Sequence, residues 1–369
     1  MLQSISIDGF KSLQNCTLNL EENVTCLVGL NGAGKSTLLQ AMSFMPDLVL
    51  GNVSEWLTRR HWTEKDLKSL LTRGARASDN MSFTAVIRLS SGSCIRWTTR
   101  FNASKRRCTL EEVWRQEAGS EHCLLRVDGN RLSLYGKKRE KIEHRYEGSI
   151  LGSITDDQLS YEVRQVRNVL ASLKFVNLGN PQKVVANLST RAAAEIKGVL
   201  MPRLKQFSPS LVDVRLKKKH CGSAELWIKE RFGDQTVETE AQHGGDGLLW
   251  VLGIVTALNT SADVLCFDEI GNSISVDVCS ALVNTLMQSG KQVVITTHNM
   301  LLVNLLPPKA VRLIYKITAA ATQVTDFSEL PEAQKRLEVF GPGDALLDLS
   351  LRQVTDEAIR VHAPKQQEA

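Results

Sequence analysis

Glycine, lysine and serine in Gly29-Leu30-Asn31-Gly32-Ala33-Gly34-Lys35-Ser36 fall at the spacing Gly-x4-Gly-Lys-Ser. That combination suits an oligophosphate. The glycines let backbone N–H groups turn inward around phosphate oxygens, the lysine neutralises the outer two phosphates, and the serine hydroxyl ligates the accompanying divalent ion. The apolar run Val24 to Val28 comes directly before the loop, and the helix-like Thr37-Leu38-Leu39-Gln40-Ala41-Met42 directly after it. A strand would thus deliver the loop, and a helix would turn its positive end toward the anion. Asn31, Gly32, Ala33, Gly34, Lys35, Ser36 and Thr37 are the residues expected to hold ATP, with Ser36 on Mg²⁺. The bland reading is a glycine turn with an exposed lysine.

A second chemical group stands at the end of Val264-Leu265-Cys266-Phe267-Asp268-Glu269, an apolar strand delivering two adjacent carboxylates where open α/β sheets bind ligands. Neighbouring strand residues point to opposite sides, so the acids are expected to divide the work. Asp268 would join the Mg²⁺ shell, and Glu269 would act as general base on the attacking water. Strands often end in an acid without such a role, and it is the phosphate loop upstream that gives the pair its meaning. The third group is His298, just past the apolar Val293-Val294-Ile295-Thr296, about 30 residues after the acids. A histidine there can hydrogen-bond the γ-phosphate or the attacking water.

The elements around these groups read as two kinds of sheet. Leu2, Ile5 and Ile7, then Leu13, Cys16, Leu18 and Leu20, alternate like a half-buried hairpin. Met81 to Leu89, Cys94 to Arg100, and the pair Cys123 to Val127 and Arg131 to Leu134 around Asp128-Gly129-Asn130 continue as an antiparallel sheet. The pattern turns helical between Asp157 and Gln206, broken at Gly179-Asn180-Pro181. Two strand-like runs follow, Leu211 to Lys217 and Ala224 to Glu230. From Val264 onward strand and helix alternate, with a helix at Val276 to Gln288 and strands at Gln292 to Thr296 and Val311 to Lys316. This is the signature of βαβ units and a parallel sheet.

Composition narrows the class further. At 369 residues, 43% hydrophobic and 23% charged, the chain can bury one large core or two smaller ones. No apolar run approaches the roughly 20 residues of a membrane helix, and the amino terminus lacks the shape of a signal peptide, so a cytoplasmic protein with no membrane partner is expected. The eight cysteines include no Cys-x-x-Cys pair, which argues against zinc and disulfides. The net charge is only +5, but basic residues clump at Arg59-Arg60-His61, Lys105-Arg106-Arg107, Lys137-Lys138-Arg139 and Lys217-Lys218-Lys219-His220. Such clumps suit either a DNA backbone or a solvated surface.

Together the pieces resemble the ABC-type ATPase head shared by SMC proteins, RecF repair proteins and smaller bacterial ATPases of OLD-like and phage-defence systems, over nearly the whole chain. Phe10-Lys11-Ser12 is similar to the family's amino-terminal FKS element. Phe267-Asp268-Glu269-Ile270-Gly271-Asn272-Ser273-Ile274 resembles its Walker B strand and D-loop, which are usually richer in acid and proline. His243-Gly244-Gly245-Asp246-Gly247-Leu248-Leu249-Trp250 is the best match to the signature loop Ser-x-Gly-x-x-Arg, with Gly245 where a serine is usual and Trp250 where an arginine is common. The resemblance implies that Gly245, Asp246 and Gly247 face a nucleotide through backbone N–H groups and a helix dipole, without the serine hydroxyl. No residue is matched to the family's Q-loop glutamine.

The implied fold is an α/β P-loop NTPase of ABC-ATPase type, a mixed sheet with an antiparallel β subdomain and a helical lobe. Residues 1–330 would form the head, with 1–45 and 240–330 as nucleotide-binding core, 46–239 as the β and helical insert, and 331–369 as a carboxy-terminal extension and tail. The roughly 205 residues between phosphate loop and signature hold no paired heptad arms, and the roughly 70 after His298 are too few for a nuclease domain. The implied function is an ATP-hydrolysing switch in DNA repair or antiphage defence. It would work as a homodimer or higher homo-oligomer that controls a separate effector, a nuclease or toxin. A transporter's nucleotide-binding subunit and a scaffold with little turnover remain as alternatives.

Overall fold

The computed structural model describes residues 1–71, 79–117, 120–137, 139–176, 196–218, 224–241, 246–271, 274, 276–317 and 320–362. Near the amino terminus the alternating apolar residues form β1 (Leu2–Asp8) and β2 (Cys16–Asn19), paired antiparallel from Ser4↔Asn19 to Ile7↔Cys16. They open an eight-stranded sheet, β2-β1-β4-β5-β6-β7-β8-β9. Its further strands are β4 (Asn80–Arg88), β5 (Cys94–Asn102), β6 (Arg107–Glu117), β7 (Ser120–Asp128), β8 (Arg131–Leu134) and β9 (Glu140–Lys141). One face carries Ile5, Ile7, Phe83, Ile87, Ile95, Trp97 and Phe101, all buried, as period-two patterning requires.

The second sheet is built from runs that are apolar at nearly every position. Its order is β10-β14-β15-β3-β16-β17: β10 (Lys174–Val176), β14 (Val264–Phe267), β15 (Gln292–Thr296), β3 (Val24–Val28), β16 (Val311–Lys316) and β17 (Thr322–Asp326). All neighbours pair in parallel except β16 with β17. Continuous apolarity follows from burial on both faces. Val264, Cys266, Val294 and Ile314 pack on one side with the antiparallel sheet, and Leu265, Phe267, Val293, Ile295 and Leu313 pack on the other. Burial pushes the Cys26 and Cys266 thiols up to about 12, so they serve as small apolar groups.

The helix α1 (Lys35–Leu50) lies between the two sheets, with Leu38, Leu39, Met42, Phe44, Met45 and Leu48 all buried. On the far side of the parallel sheet pack the helices Asp246–Leu258, Val276–Met287, Met300–Asn304 and Pro342–His362, the last broken at Ser350 (φ 58°). A third sheet, β11 (Leu211–Lys218), β12 (Ala224–Phe232) and β13 (Gln235–Glu240), carries Leu211, Val214, Leu226 and Ile228 into that same core.

One stretch departs from the sequence pattern. The helical reading from Asp157 to Gln206 holds for Tyr161–Ser172, Ile196–Leu200 and Met201–Leu204, but Lys174–Val176 is a strand, added to the sheet edge by pairing with Leu265, Cys266 and Phe267 of β14. The long-range ladder overrides a weak local preference. The break at Gly179-Asn180-Pro181 lies outside the described residues. Among those described, no helix is long and apolar enough to cross a membrane.

Candidate nucleotide site

Strand order places three chemical loops side by side. β15 lies between β14 and β3, and all three run parallel, so the chain leaves each at the same edge of the sheet. Val28 leads into Gly29, Phe267 into Asp268, and Thr296 into His298. The carboxyl edge of a parallel sheet is where ligands bind, because loops and helix amino termini converge there.

The phosphate loop begins at Gly29 (φ 153°), where any Cβ would overlap the Ile314 carbonyl oxygen of β16. It ends at Gly34 (φ 114°), pressed against the side chain of Thr322. Only glycine meets both demands. Asn31, Gly32 and Ser36 face solvent, Gly34 and Thr37 are half-buried, and Ala33 is buried. Lys35 is buried and folds back, its Nζ donating to the carbonyls of Gly29 (2.7 Å) and Leu30 (3.1 Å). Burial lowers its affinity for the proton, and the charges of Asp268 and Glu269 act in the opposite sense. The ammonium therefore lies within the field of both acids.

The two acids do not continue the strand. β14 ends at Phe267, and Glu269 adopts a left-handed conformation (φ 54°). It is this turn, rather than strand alternation, that separates the half-buried Asp268 from the exposed Glu269. Thr296, fully buried at the end of β15, holds the turn. Its Oγ1 accepts from the Glu269 N–H (2.7 Å) and donates to Asp268 Oδ1 (2.6 Å), and its carbonyl accepts from the Ile270 N–H (2.8 Å). Next to it, Thr297 Oγ1 donates to the Ile270 carbonyl (2.6 Å). Asn299 Nδ2 donates to the Gly271 carbonyl (3.2 Å), while Asn299 Oδ1 caps the helix Met300–Asn304. His298, exposed, sits between these two anchors and so is held beside the acid turn.

Of the expected site residues, the structure brings Asn31 to Thr37, Asp268, Glu269 and His298 to one edge. Gly245 lies outside the described residues, and Asp246 and Gly247 are described only as the backbone start of the helix Asp246–Leu258. The sequence reading missed Thr296, Thr297 and Asn299, whose flanking position beside His298 was the one available signal. An exposed serine hydroxyl and a half-buried carboxylate are hard oxygen donors of the kind Mg²⁺ takes sparingly, alongside phosphate and water. Among the described residues no group of three or more His, Cys, Asp or Glu could hold a metal by itself.

The basic clumps are partly neutralised. Arg59 pairs with Asp47 (2.6 Å), Arg106 with Glu64, and Lys217 with Glu238 (3.3 Å) while lying 3.7 Å from the centre of the Trp227 ring. Lys138, Lys219 and His220 lie outside the described residues.

Comparison with known proteins agrees with this architecture. A family profile described as "AAA ATPase domain" matches residues 1–77, and one described as "AAA domain, putative AbiEii toxin, Type IV TA system" matches 157–304. Over 44 residues the chain is 36% identical to the DNA double-strand break repair Rad50 ATPase of Methanococcus maripaludis, a match spanning 12% of this chain and only 4% of that protein. The SMC head domain from Thermotoga maritima superposes with a TM-score of 0.53 at 12% identity, covering 88% of this chain and 98% of that one. An SMC head bound to the C-winged helix domain of ScpA gives 0.56 at 15% identity, covering 88% and 97%. The Smc head from Pyrococcus furiosus, with an extended coiled coil, gives 0.52 at 14%, covering 91% and 98%. With its strand order, its glycine loop and its acid turn, the chain shares the fold of the SMC heads, and two of its stretches are similar to AAA ATPase domains.

Proposed function

We propose that this head binds Mg·ATP on the loop Gly29 to Ser36, hydrolyses it with Glu269, and alternates between separate and ATP-joined dimeric states. The observation that carries the proposal is the parallel order β14-β15-β3, which brings the glycine loop, the acid turn and His298 to one sheet edge. Lys35 exchanges two carbonyl partners for the outer phosphates, the Ser36 hydroxyl and Asp268 hold the metal, and Glu269 accepts the proton of the attacking water. The hydrogen bond from Thr296 Oγ1 to Oδ1 would hold the Asp268 carboxylate in place for the metal. Bound Mg²⁺ would supply charge neutralisation between phosphates. His298 contacts the γ-phosphate or the water, and Gly245, Asp246 and Gly247 contribute backbone N–H groups to the partner head's nucleotide.

In biological terms we place the head in DNA repair or antiphage defence, controlling a separate nuclease or toxin. The likeness to a repair ATPase and to a profile described with a toxin–antitoxin system supports that setting. Light scattering with and without Mg·ATP tests the dimeric switch. Glu269→Gln is expected to accumulate as an ATP-dependent dimer, while Asp268→Asn stays apart. Equal association of Glu269→Gln and wild type would remove the sandwich, and failure of the wild type to bind ATP in calorimetry would remove the site. Steady-state hydrolysis with and without DNA separates the switch from a low-turnover scaffold.

A further inference from the structure

A residue 289 positions downstream of Ala33 forms the floor of the phosphate loop. Thr322, the first residue of β17, is fully buried, and its side chain lies against Gly34 so closely that a Cβ on Gly34 would collide with it. Its Oγ1 donates to the Ala33 carbonyl at 3.0 Å. A threonine hydroxyl has one proton, so the 2.8 Å contact between Ser12 Oγ and Thr322 Oγ1 has Ser12 as donor. The Thr322 N–H donates to the Ser12 carbonyl (2.7 Å), and Gln323 Nε2 donates to the Gln14 carbonyl (2.8 Å). The hydroxyl is thus held from below by the Phe10-Lys11-Ser12 segment and points its proton upward into the loop.

A trans peptide is planar, with its carbonyl and N–H on opposite sides. Fixing the Ala33 carbonyl toward Thr322 therefore fixes the Gly34 N–H away from Thr322, across the loop. We infer that Thr322, backed by Ser12, is a positioning residue for phosphate binding: it locks the Ala33–Gly34 peptide so that the Gly34 N–H is presented to the nucleotide. This deepens the proposed function and rests on it. It also gives Ser12 a role that involves no contact with the nucleotide.

The test is Mg·ATP binding by calorimetry and steady-state hydrolysis on Thr322→Val, Thr322→Ser and Ser12→Ala, well below the apo melting temperature of each. Thr322→Val keeps the branch packed on Gly34 and removes only the hydroxyl. It is expected to weaken ATP binding about 5-fold, within the contribution of one hydrogen bond, and to raise KM by more than it lowers kcat. Thr322→Ser is expected to restore affinity to within about twofold, and Ser12→Ala to fall between the two. A merely structural residue would lower the melting temperature of Thr322→Val and leave affinity alone, which overturns the inference. Serine binding as weakly as valine overturns it too. Should Thr322→Val not fold, Ser12→Ala decides, and wild-type affinity there counts against the role. A wild type that binds no Mg·ATP refutes the nucleotide site itself, whereas a binding wild type with an indifferent Thr322→Val refutes only the positioning.

Discussion

Between Gly29 and Gly34 the unusual backbone is made by glycines pressed against other parts of the chain, the Ile314 carbonyl at one end and the Thr322 side chain at the other. At Glu269 an equally unusual backbone is made by hydrogen bonds from the neighbouring strand, chiefly those of Thr296. A non-glycine residue in the left-handed region costs about 1–2 kcal/mol, and a buried hydrogen bond contributes about 1 kcal/mol, so the contacts from Thr296 and Thr297 suffice to hold the turn. The phosphate loop is consequently vulnerable to atoms added, the acid turn to atoms removed.

The largest effect is expected at the acid turn. Glu269→Gln preserves shape but cannot accept a proton, and ATP hydrolysis should fall about 100-fold or more while ATP binding survives, as measured by phosphate release against calorimetry. On the loop side, Lys35→Ala removes the charge facing the outer phosphates. Affinity should fall about 10- to 100-fold, with the apo melting temperature little changed. Gly34→Ala should do comparable damage for the opposite reason: the new methyl meets Thr322 at a φ of 114°, a strain of about 1–3 kcal/mol that calorimetry reads as weaker ATP binding and denaturant melts as lower stability. Thr296→Val, which keeps the branched shape and replaces the hydroxyl by a methyl, should lower kcat about 10-fold and shift the Mg²⁺ dependence, and Thr296→Ser should recover most of it. If Thr296→Val were silent while Gly34→Ala remained destructive, the acid turn would be held by its own backbone, and the contrast would fail.

The smallest effect concerns nucleic acid. Because Lys217 already pairs with Glu238 and lies over Trp227, Lys217→Ala should change the slope of any DNA affinity against salt by less than one counterion. A change of a full unit would mean that the pair opens when a phosphate arrives.

The same contrast explains what the sequence could disclose. Gly29, Gly34 and Lys35 are legible because few other residues tolerate that geometry or supply that charge, so their spacing is nearly a structural statement. Asp268, Glu269 and His298 are legible because each ends an apolar run. Thr296 and Thr322 are ordinary strand residues, and their importance arises only once β15 pairs with β3 and β17 folds under the loop, registers that no local pattern encodes. The separation of Asp268 from Glu269 was expected from strand alternation and arises instead from the turn at Glu269, because β14 ends with its apolar run at Phe267 and both acids lie beyond the strand. Lys174–Val176 falls inside the helical reading for a related reason: its partner, β14, lies some 90 residues away.

Strand β3 sits in the middle of its sheet, yet its neighbours are β15 and β16, contributed by residues 292–316, and the loop that follows it rests on Thr322. Residues made early during translation therefore wait for residues made late. A nascent chain carries the complete glycine motif long before the motif has walls, and closing so large a sequence gap makes assembly of this sheet a slow step. Under the proposed function nucleotide would stabilise only the finished fold, so ATP would act late in the protein's own maturation, pulling completed heads out of the pool of partly folded chains by mass action.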